Sequence, residues 1–426
     1  MAGPQRLTLQ EAREVPGLVR QAAQAVGTSD AEVFAMFDST TRRLRDLLRL
    51  RRSPFDLSVS GSVRVDGIAG LLRLRPDLEL EVVPKFLDAR TQTWQEDFFV
   101  LALFSQTGRI LPRERISAGH GHRGDLASLV GQTFARMYSE NQRRPVRAYR
   151  HRGATEFAYD GDVDPLDLFA PEPDGFPQRV LQLRRDNEYN SVLAGAVEAL
   201  LPEVRDAETR KQLVRVRQAL GPQAPVRQVR PLRLPARHRE WQQLHDLAVE
   251  VLRGFGVGYV QRHLLAPGFV LRTWETWQAL VEAALRTALS GVQVLGQRPY
   301  NLGQRTAQPL DVTPDVTVLR SGVPVGVLDA KYRTRQGKVL SVDAGDVYET
   351  LAFLRATGTS RAVLLYPRPA DGQPPLPVGS CQQFEQVTVG NAVITALAAE
   401  VRGISGTDGY ASFAQRLAAA VQPHLP

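Results

Sequence analysis

Hydrophobic spacing divides the chain into helical and strand-like stretches. From the start to about Leu50, apolar residues recur three or four positions apart, which predicts helix. Between Phe55 and Phe86 they alternate with polar residues, and glycines and a Pro-Asp pair interrupt them, which predicts a small β-rich unit. Helical spacing then returns in four segments, at about residues 95–104, 125–140, 186–219 and 241–252. The pattern therefore predicts a β-rich part followed by a helical part.

The last third of the chain alternates between the two kinds of spacing. It predicts a helix over residues 273–290, a strand over 292–295 and two further strands joined by a turn at Gly322. Asp343 is suited to cap the next helix, and a strand over 362–366 follows that helix. Strand, strand, helix and strand in this order predict a mixed sheet packed with helices. The expected fold class is therefore α+β.

Aperiodic, proline-rich stretches mark the expected domain boundaries. Residues 165–177 are rich in Pro and Asp and break the hydrophobic pattern, so the first, β-rich domain is predicted to span 1–165. A helical connector region is predicted over 166–270, and the domain with the mixed sheet over 271–426.

Charge narrows the class of partner. The 426 residues carry a formal net charge of +8, and the sequence pI is about 9.8. A basic surplus favours a polyanionic partner, and nucleic acid is the first candidate. Arginine outnumbers lysine strongly, and such usage is also typical of a GC-rich genome. Charge alone therefore does not decide between these explanations.

Features that the sequence lacks exclude several classes of protein. Cys381 is the one cysteine, which excludes an intrachain disulfide or a Cys-rich zinc site and fits a reducing cytoplasm. No apolar run approaches the roughly 18 residues of a membrane span, and the start has no apolar signal core. The sequence has no G-x-x-x-x-G-K-[ST] phosphate loop. We therefore expect a cytoplasmic chain that binds no nucleotide itself and has no membrane partner.

The candidate chemistry lies on the two strands that meet at Gly322. If the turn centres there, Asp315 lies opposite Asp329, and Lys331 projects on the same side as Asp329 because strand residues two apart share a face. Two carboxylates and one ammonium then converge on one patch. Such a patch suits Mg²⁺, which prefers oxygen ligands, with Mn²⁺ as a substitute. The alternative is an exposed hairpin with ordinary surface charges.

These residues resemble a known nuclease signature. Pro314-Asp315 followed by Asp329-Ala330-Lys331 matches the PD-(D/E)xK pattern. The surrounding sequence resembles the McrC family, which supplies the DNA-cleaving subunit of modified-cytosine restriction systems. The stretches that carry this resemblance are Leu-Asp-Ala-Lys-Tyr at 328–332, Asp-Val-Tyr-Glu at 346–349, Val-Val-Pro-Lys-Phe at 82–86 and Asn-x-x-Asn at 187–190.

The resemblance implies a restriction-endonuclease-like core in the third domain and roles for four of its residues. Asp315 and Asp329 would hold Mg²⁺, and Lys331 would position or activate the attacking water. The Leu-Val-Glu triplet at 280–282 is similar to a Leu-Phe-Glu triplet of McrC proteins, so Glu282 is expected to complete the metal shell. The alternative for Glu282 is a solvated helix glutamate.

Further residues are candidates for DNA contact. Arg333, Arg335 and Lys338 follow the motif and are expected to meet the DNA backbone. Glu349 stands where the McrC family has glutamine, and it either adds charge to a metal site or faces solvent. Basic residues also alternate with aromatic ones at 143–152, which suits a nucleic-acid groove or a charge-guarded β-edge equally well.

The resemblance also implies a function and a partner. It indicates a Mg²⁺-dependent DNA endonuclease subunit of a modification-dependent, type IV restriction system, acting on double-stranded DNA. It implies an AAA+ GTPase partner of the McrB type, on which the amino-terminal β-domain would dock and whose GTPase it would stimulate. Two alternatives remain open, a standalone nuclease of the same fold and a non-catalytic activator or DNA-binding scaffold. The intact Asp/Asp/Lys set favours catalysis over a silent site.

Overall fold

The computed structural model describes residues 5–75, 77–91, 94–107, 126–159, 161–169, 172–204, 206–226, 229, 232–254, 270–332, 341–370 and 374–425. The described residues fall into two units. One comprises residues 1–119 and 258–426, and the other comprises 120–257. The predicted boundaries at 165 and 270 stay predictions about domain organisation.

Ten α-helices lie in the part of the chain that the structure describes. They are α1 (Leu18–Val26), α2 (Asp30–Leu48), α3 (Trp94–Thr107), α4 (Leu126–Asn141), α5 (Glu188–Leu200), α6 (Ala207–Leu220), α7 (Gln242–Gly254), α8 (Thr273–Ala288), α9 (Ala344–Thr357) and α10 (Gly409–Val421). Asp343 caps α9 as predicted, because its side chain accepts a hydrogen bond from the main-chain N of Gly345.

The strands are numbered in the same way. They are β1 (Gln5–Gln10), β2 (Glu14–Val15), β3 (Phe55–Leu57), β4 (Val63–Val65), β5 (Ile68–Arg75), β6 (Leu78–Val83), β7 (Ala148–Glu156), β8 (Gly161–Val163), β9 (Phe176–Arg184), β10 (Val270–Arg272), β11 (Gln293–Gly296), β12 (Tyr300–Gln304), β13 (Pro309–Val312), β14 (Val316–Arg320), β15 (Val323–Ala330), β16 (Arg361–Pro367), β17 (Cys381–Val389) and β18 (Ala392–Ala399).

The amino-terminal part of the first unit is built on a four-stranded sheet of order β1-β6-β5-β10. Strand β1 runs parallel to β6, and β5 pairs antiparallel with both β6 and β10. Every residue of β6 is buried, and Phe37 of α2 and Leu80 of β6 belong to the core beneath the sheet. The prediction of helix from the start of the chain was wrong for β1. Its strand conformation depends on pairing with β6, far away in the sequence.

The carboxy-terminal part of the first unit contains a six-stranded mixed sheet of order β11-β14-β15-β16-β18-β17. Its strands β11, β14 and β15 pair antiparallel, β15, β16 and β18 pair parallel, and β17 closes the edge antiparallel to β18. Phe353 and Leu354 of α9 pack with Leu364 of β16 and Ile394 of β18 in one buried cluster. The predicted mixed sheet is therefore present.

The second unit contains α4, α5, α6, α7 and a three-stranded sheet of order β7-β9-β8. The stretch predicted as one helical region over 186–219 is two helices, α5 and α6. Asn187 caps α5 through a hydrogen bond from the main-chain N of Asn190. Strand β7 is mostly exposed along its length, including the basic stretch singled out in the sequence.

The strands and helices together place the chain in the α+β class, as predicted. Within the ranges that the structure describes, no helix combines the length and apolar character needed to cross a membrane.

Candidate active site

The hairpin of β14 and β15 brings the motif residues to one edge of the mixed sheet. Ser321 and Gly322 form its two-residue turn, and both have the positive φ angles, 50° and 81°, of the turn type that suits a twisted hairpin. The turn pairs Arg320 with Val323, and an irregularity between Val318 and Leu319 shifts the register by one residue. Val316 therefore pairs with Leu328, as predicted from a turn centred on Gly322. Asp315, one residue before Val316, therefore lies beside the end of β15.

Asp315 and Asp329 form a carboxyl pair. Asp315 Oδ2 accepts a hydrogen bond from the main-chain N of Ala330 at 2.9 Å, and its Oδ1 accepts one from Gln297 Nε2 at 2.8 Å. Burial, together with the hydrogen bond and charge of Asp329, raises the pKa of Asp315 to about 8. Two carboxylates this close cannot both ionise at low cost unless a proton or a cation lies between them.

Lys331 lies among three carboxylates. Its Nζ is 2.6 Å from Asp329 Oδ2, 2.6 Å from Glu349 Oε2 and 3.6 Å from Asp346 Oδ1. Burial would lower the pKa of Lys331, but the charges of Asp329 and Glu349 outweigh it and raise that pKa. The side chain is therefore an ammonium with a fixed position.

Asp346 belongs to this group of charges, and the sequence analysis did not predict it as a site residue. It lies on the first turn of α9 and is 1% exposed, and its Oδ2 accepts a hydrogen bond from Tyr366 Oη at 3.2 Å. Glu349 follows three residues later, so both side chains lie on one face of the helix. That i, i+3 spacing after the motif is the signal in the sequence that points to Asp346. Glu349 contacts Lys331, although half of its side chain remains exposed.

Glu282 lies on α8, and its described contacts are with Arg286 and Gly296. Its carboxylate pairs with Arg286, one turn further along the same helix. It also lies against Gly296, where the Cβ atom of any other residue would clash with Glu282 Oε1. Since Gly296 pairs with Val316, Glu282 is near the strand end that carries Asp315. Within the described residues, no three His, Cys, Asp or Glu side chains are grouped as a metal site. The metal-binding role of Glu282 stays a prediction.

The donor set of the carboxyl pair fits a hard divalent cation. Asp315 and Asp329 present only oxygen atoms, and their mutual repulsion is the arrangement that a Mg²⁺ or Mn²⁺ ion between them would relieve. The buried position of Asp329, which is 5% exposed, would strengthen that electrostatic interaction. The residues present therefore fit a site with two carboxylate ligands, completed by water and substrate oxygens.

The structure does not test the predicted DNA contacts. Arg333, Arg335 and Lys338 fall within residues 333–340, outside the described residues, so their roles stay predictions. The basic stretch on β7 belongs to the second unit, and Arg150 there is 3.9 Å from the carboxylate of Asp186.

Comparison with known proteins gives a consistent result. Residues 63–367 match the model of a protein family described as McrBC 5-methylcytosine restriction system component. A chain in the refined half-complex from the tetradecameric assembly of Thermococcus gammatolerans McrB AAA+ hexamers with bound McrC has a similar fold. The TM-score is 0.71 and the identity 17%, over 98% of this chain and 100% of that chain.

A second solved structure gives a weaker match. It is a chain of the Thermococcus gammatolerans McrBC complex determined by cryo-electron microscopy. Its TM-score is 0.51 and its identity 16%, over 66% of this chain and 87% of that chain. The search of curated proteins found no match. At these identities the structural similarity shows the fold alone.

Proposed function

Because the chain belongs to the family of McrBC 5-methylcytosine restriction system components, we propose that it is the DNA-cleaving subunit of such a system. The reaction is Mg²⁺-dependent hydrolysis of phosphodiester bonds in double-stranded DNA. The observation that carries this proposal is the meeting of Asp315, Asp329 and Lys331 at one edge of a mixed sheet, with an ammonium 2.6 Å from one carboxylate. Folding alone does not require these three charged groups to converge.

The arrangement supports a nuclease core of the PD-(D/E)xK kind. Asp315 follows Pro314 at the start of β14, and Asp329 and Lys331 lie at the end of the adjacent strand β15. A parallel strand, β16, and helix α9 complete the neighbourhood of the site. This order of strand, strand, helix and strand is the order predicted from the sequence.

Each residue then has a role that its surroundings suit. Asp315 and Asp329 would hold the ion, which when bound supplies an acidified water and a polarised phosphodiester. Lys331 orients the attacking water or offsets the negative charge that develops on the phosphate oxygens. It acts as a cation in this role, because the carboxylates around it raise its pKa.

The surrounding residues complete the proposal. Glu282 is proposed to assist the ion from α8, and Arg333, Arg335 and Lys338 to contact the DNA backbone. Glu349 holds Lys331 in place through their ion pair rather than facing only solvent. Hydrolysis requires water oxygen to attack phosphorus while the bond from phosphorus to the leaving sugar oxygen breaks.

The partner is proposed from the family and from similar structures. One of these structures is named for McrB AAA+ hexamers with bound McrC. We therefore propose an McrB-like AAA+ GTPase as the partner of this chain in the cytoplasm. The amino-terminal β-domain is proposed to dock on it and to stimulate its GTPase. Since the sequence lacks a phosphate loop, GTP would be hydrolysed by the partner.

Plasmid cleavage tests the proposal. A plasmid carrying 5-methylcytosine is incubated with the purified chain, Mg²⁺, GTP and a candidate McrB-like AAA+ GTPase, and each component is left out in turn. We expect cutting only when all are present, with faster GTP hydrolysis when the chain is added. Strong cutting without the partner would favour a standalone nuclease. GTPase stimulation without cutting in any divalent metal would favour a non-catalytic activator.

A further inference from the structure

A buried carboxylate joins the amino-terminal sheet to the end of β15. Glu11 follows β1 and is 1% exposed. Its Oε1 accepts hydrogen bonds from the main-chain N of Gly67 at 3.1 Å and from Thr273 Oγ1 at 2.7 Å. Its Oε2 accepts them from Tyr332 Oη at 2.5 Å and from the main-chain N of Lys85 at 3.3 Å. Donors from four separate segments therefore meet on one side chain.

The aromatic ring of Tyr332 is also fixed from other directions. Lys85 Nζ lies 3.6 Å from the centre of the ring, within the range of a cation–π interaction. The ring of Phe86 meets it edge-on, with 6.0 Å between the ring centres. Both residues lie within three positions of the end of β6, so the segment that leaves the amino-terminal sheet supplies both of these contacts. The position of Tyr332 is thus set by that sheet.

Tyr332 is the neighbour of Lys331, and the two side chains extend to different surroundings. Lys331 Nζ enters the group of Asp329 and Glu349, whereas Tyr332 Oη reaches Glu11. The two residues are joined by one peptide bond just after β15, so fixing the Tyr332 side chain also restrains the backbone that carries Lys331. The main-chain N of Lys331 adds a hydrogen bond of 2.8 Å to the carbonyl oxygen of Leu365.

We propose that Glu11 is a positioning residue for Lys331. By holding Tyr332 it fixes the backbone that aims the Lys331 ammonium at Asp329, and it links the amino-terminal sheet to the proposed nuclease centre. This inference rests on the proposed function, since that function gives the position of Lys331 its meaning. Burying a carboxylate is costly unless hydrogen bonds compensate, and the four donors to Glu11 supply that compensation, one of them from the residue next to Lys331.

The substitution Tyr332→Phe tests the proposal because it removes one hydroxyl and leaves the ring and its contacts in place. We expect single-turnover cleavage of methylated DNA, with partner and GTP present, to slow about tenfold, as for one lost hydrogen bond to a charged group. The melting temperature should change by only about 2–4 °C. Stimulation of the partner's GTPase should stay within twofold of wild type, which a general loss of folding would not allow.

Two further comparisons separate positioning from general stability. Tyr300→Phe is the matched control, because the buried Tyr300 hydroxyl has no hydrogen-bond partner among the described residues, and it should cleave like wild type. The double variant Glu11→Ala, Tyr332→Phe should cleave no more slowly than Glu11→Ala alone, because the alanine side chain already lacks the acceptor to which Tyr332 Oη donates. Hydrogen exchange of the peptide 326–332 should be faster in Tyr332→Phe than in Tyr300→Phe.

The outcomes distinguish this inference from the proposed function. If the wild type does not cleave in the same assay, the proposed function is contradicted. The comparison of hydrogen exchange between Tyr332→Phe and Tyr300→Phe then still tests whether the hydrogen bond between Tyr332 and Glu11 holds the backbone at Lys331. If the wild type cleaves and Tyr332→Phe cleaves within twofold of it, the positioning role is refuted. Equal hydrogen exchange of the peptide 326–332 in the two tyrosine variants refutes it as well.

Discussion

The substitution Asp315→Asn should stabilise the metal-free protein while removing its response to Mg²⁺. Asp315 shares its site with Asp329, and burial and that neighbour raise its pKa to about 8. In the unfolded chain the same carboxyl titrates near its ordinary value of about 4. At pH 7.5 the folded state therefore carries an electrostatic penalty at this residue, and an uncharged amide avoids it.

The magnitude follows from the pKa. A rise from the ordinary value to about 8 corresponds at pH 7.5 to a penalty on the order of 5 kcal/mol. Asparagine recovers only part of this, because its amide is still desolvated and Gln297 must reorient toward a new partner. We expect a gain in the free energy of unfolding of about 2–3 kcal/mol. The melting temperature should rise by roughly 5 °C.

The raised pKa of Asp315 also determines how stability changes with pH. Because the folded pKa of Asp315 is raised, the folded state keeps a proton that the unfolded chain releases, and wild-type stability falls as pH rises from about 4 to 8. Asp315→Asn removes this contribution, so its advantage over wild type should be small near pH 4 and largest near pH 8. Saturating Mg²⁺, at about 100 times its Kd, should stabilise the wild type by about 3 kcal/mol and the variant hardly at all.

Urea denaturation in EDTA and in MgCl₂ measures these differences. Asp311→Asn is the matched control, because Asp311 is an exposed carboxylate of the nearby strand β13 that accepts a hydrogen bond from Asn301. It should leave both stability and the Mg²⁺ response unchanged. The reasoning is refuted if Asp315→Asn is no more stable than wild type in EDTA at pH 7.5, or if Mg²⁺ stabilises both proteins equally.

Two further predictions concern stability away from the site. Burial lowers the pKa of His245 to about 4, so the free energy of unfolding of the wild type should fall by about 3 kcal/mol between pH 6.5 and pH 4 through this residue. In urea denaturation, the free energy of unfolding of His245→Phe should not show this part of the decrease. Glu400 is fully buried between Arg368 and Arg402, so Glu400→Ala leaves two buried guanidinium groups without their carboxylate. Calorimetry should show that Glu400→Ala lowers the free energy of unfolding by about 3–5 kcal/mol, and a decrease of less than about 1 kcal/mol would contradict this prediction.

The hairpin was predictable because its determinants are local. The turn signal and the alternation of apolar residues indicate the two strands and their approximate pairing. The pairing of Val316 with Leu328 also depends on an irregularity between Val318 and Leu319, which shifts the register by one residue after the turn pairs Arg320 with Val323. Once that register is known, Asp315 and Asp329 must be neighbours. The metal-binding and catalytic roles assigned to them stay predictions, which the measurements proposed here would test.

Other features depend on contacts between distant parts of the chain. Helix α9 brings Asp346 and Glu349 to Lys331 only when it packs on the sheet. Strand β18 is rich in alanine, a residue with low strand propensity, and its position between β16 and β17 imposes its conformation. Glu11 has no distinguishing neighbours in sequence, and its hydrogen-bond partner Tyr332 lies 321 residues away.

The central claim is that the carboxyl pair and Lys331 form a metal-dependent nuclease centre. The most direct test is cleavage of methylated plasmid by Asp329→Asn, with Asp311→Asn as control, in the presence of the GTPase partner, GTP and Mg²⁺. We predict that Asp329→Asn cuts about 100-fold more slowly or not at all, yet stimulates the GTPase like wild type. Cutting by Asp329→Asn at the rate of the Asp311→Asn control would contradict the account.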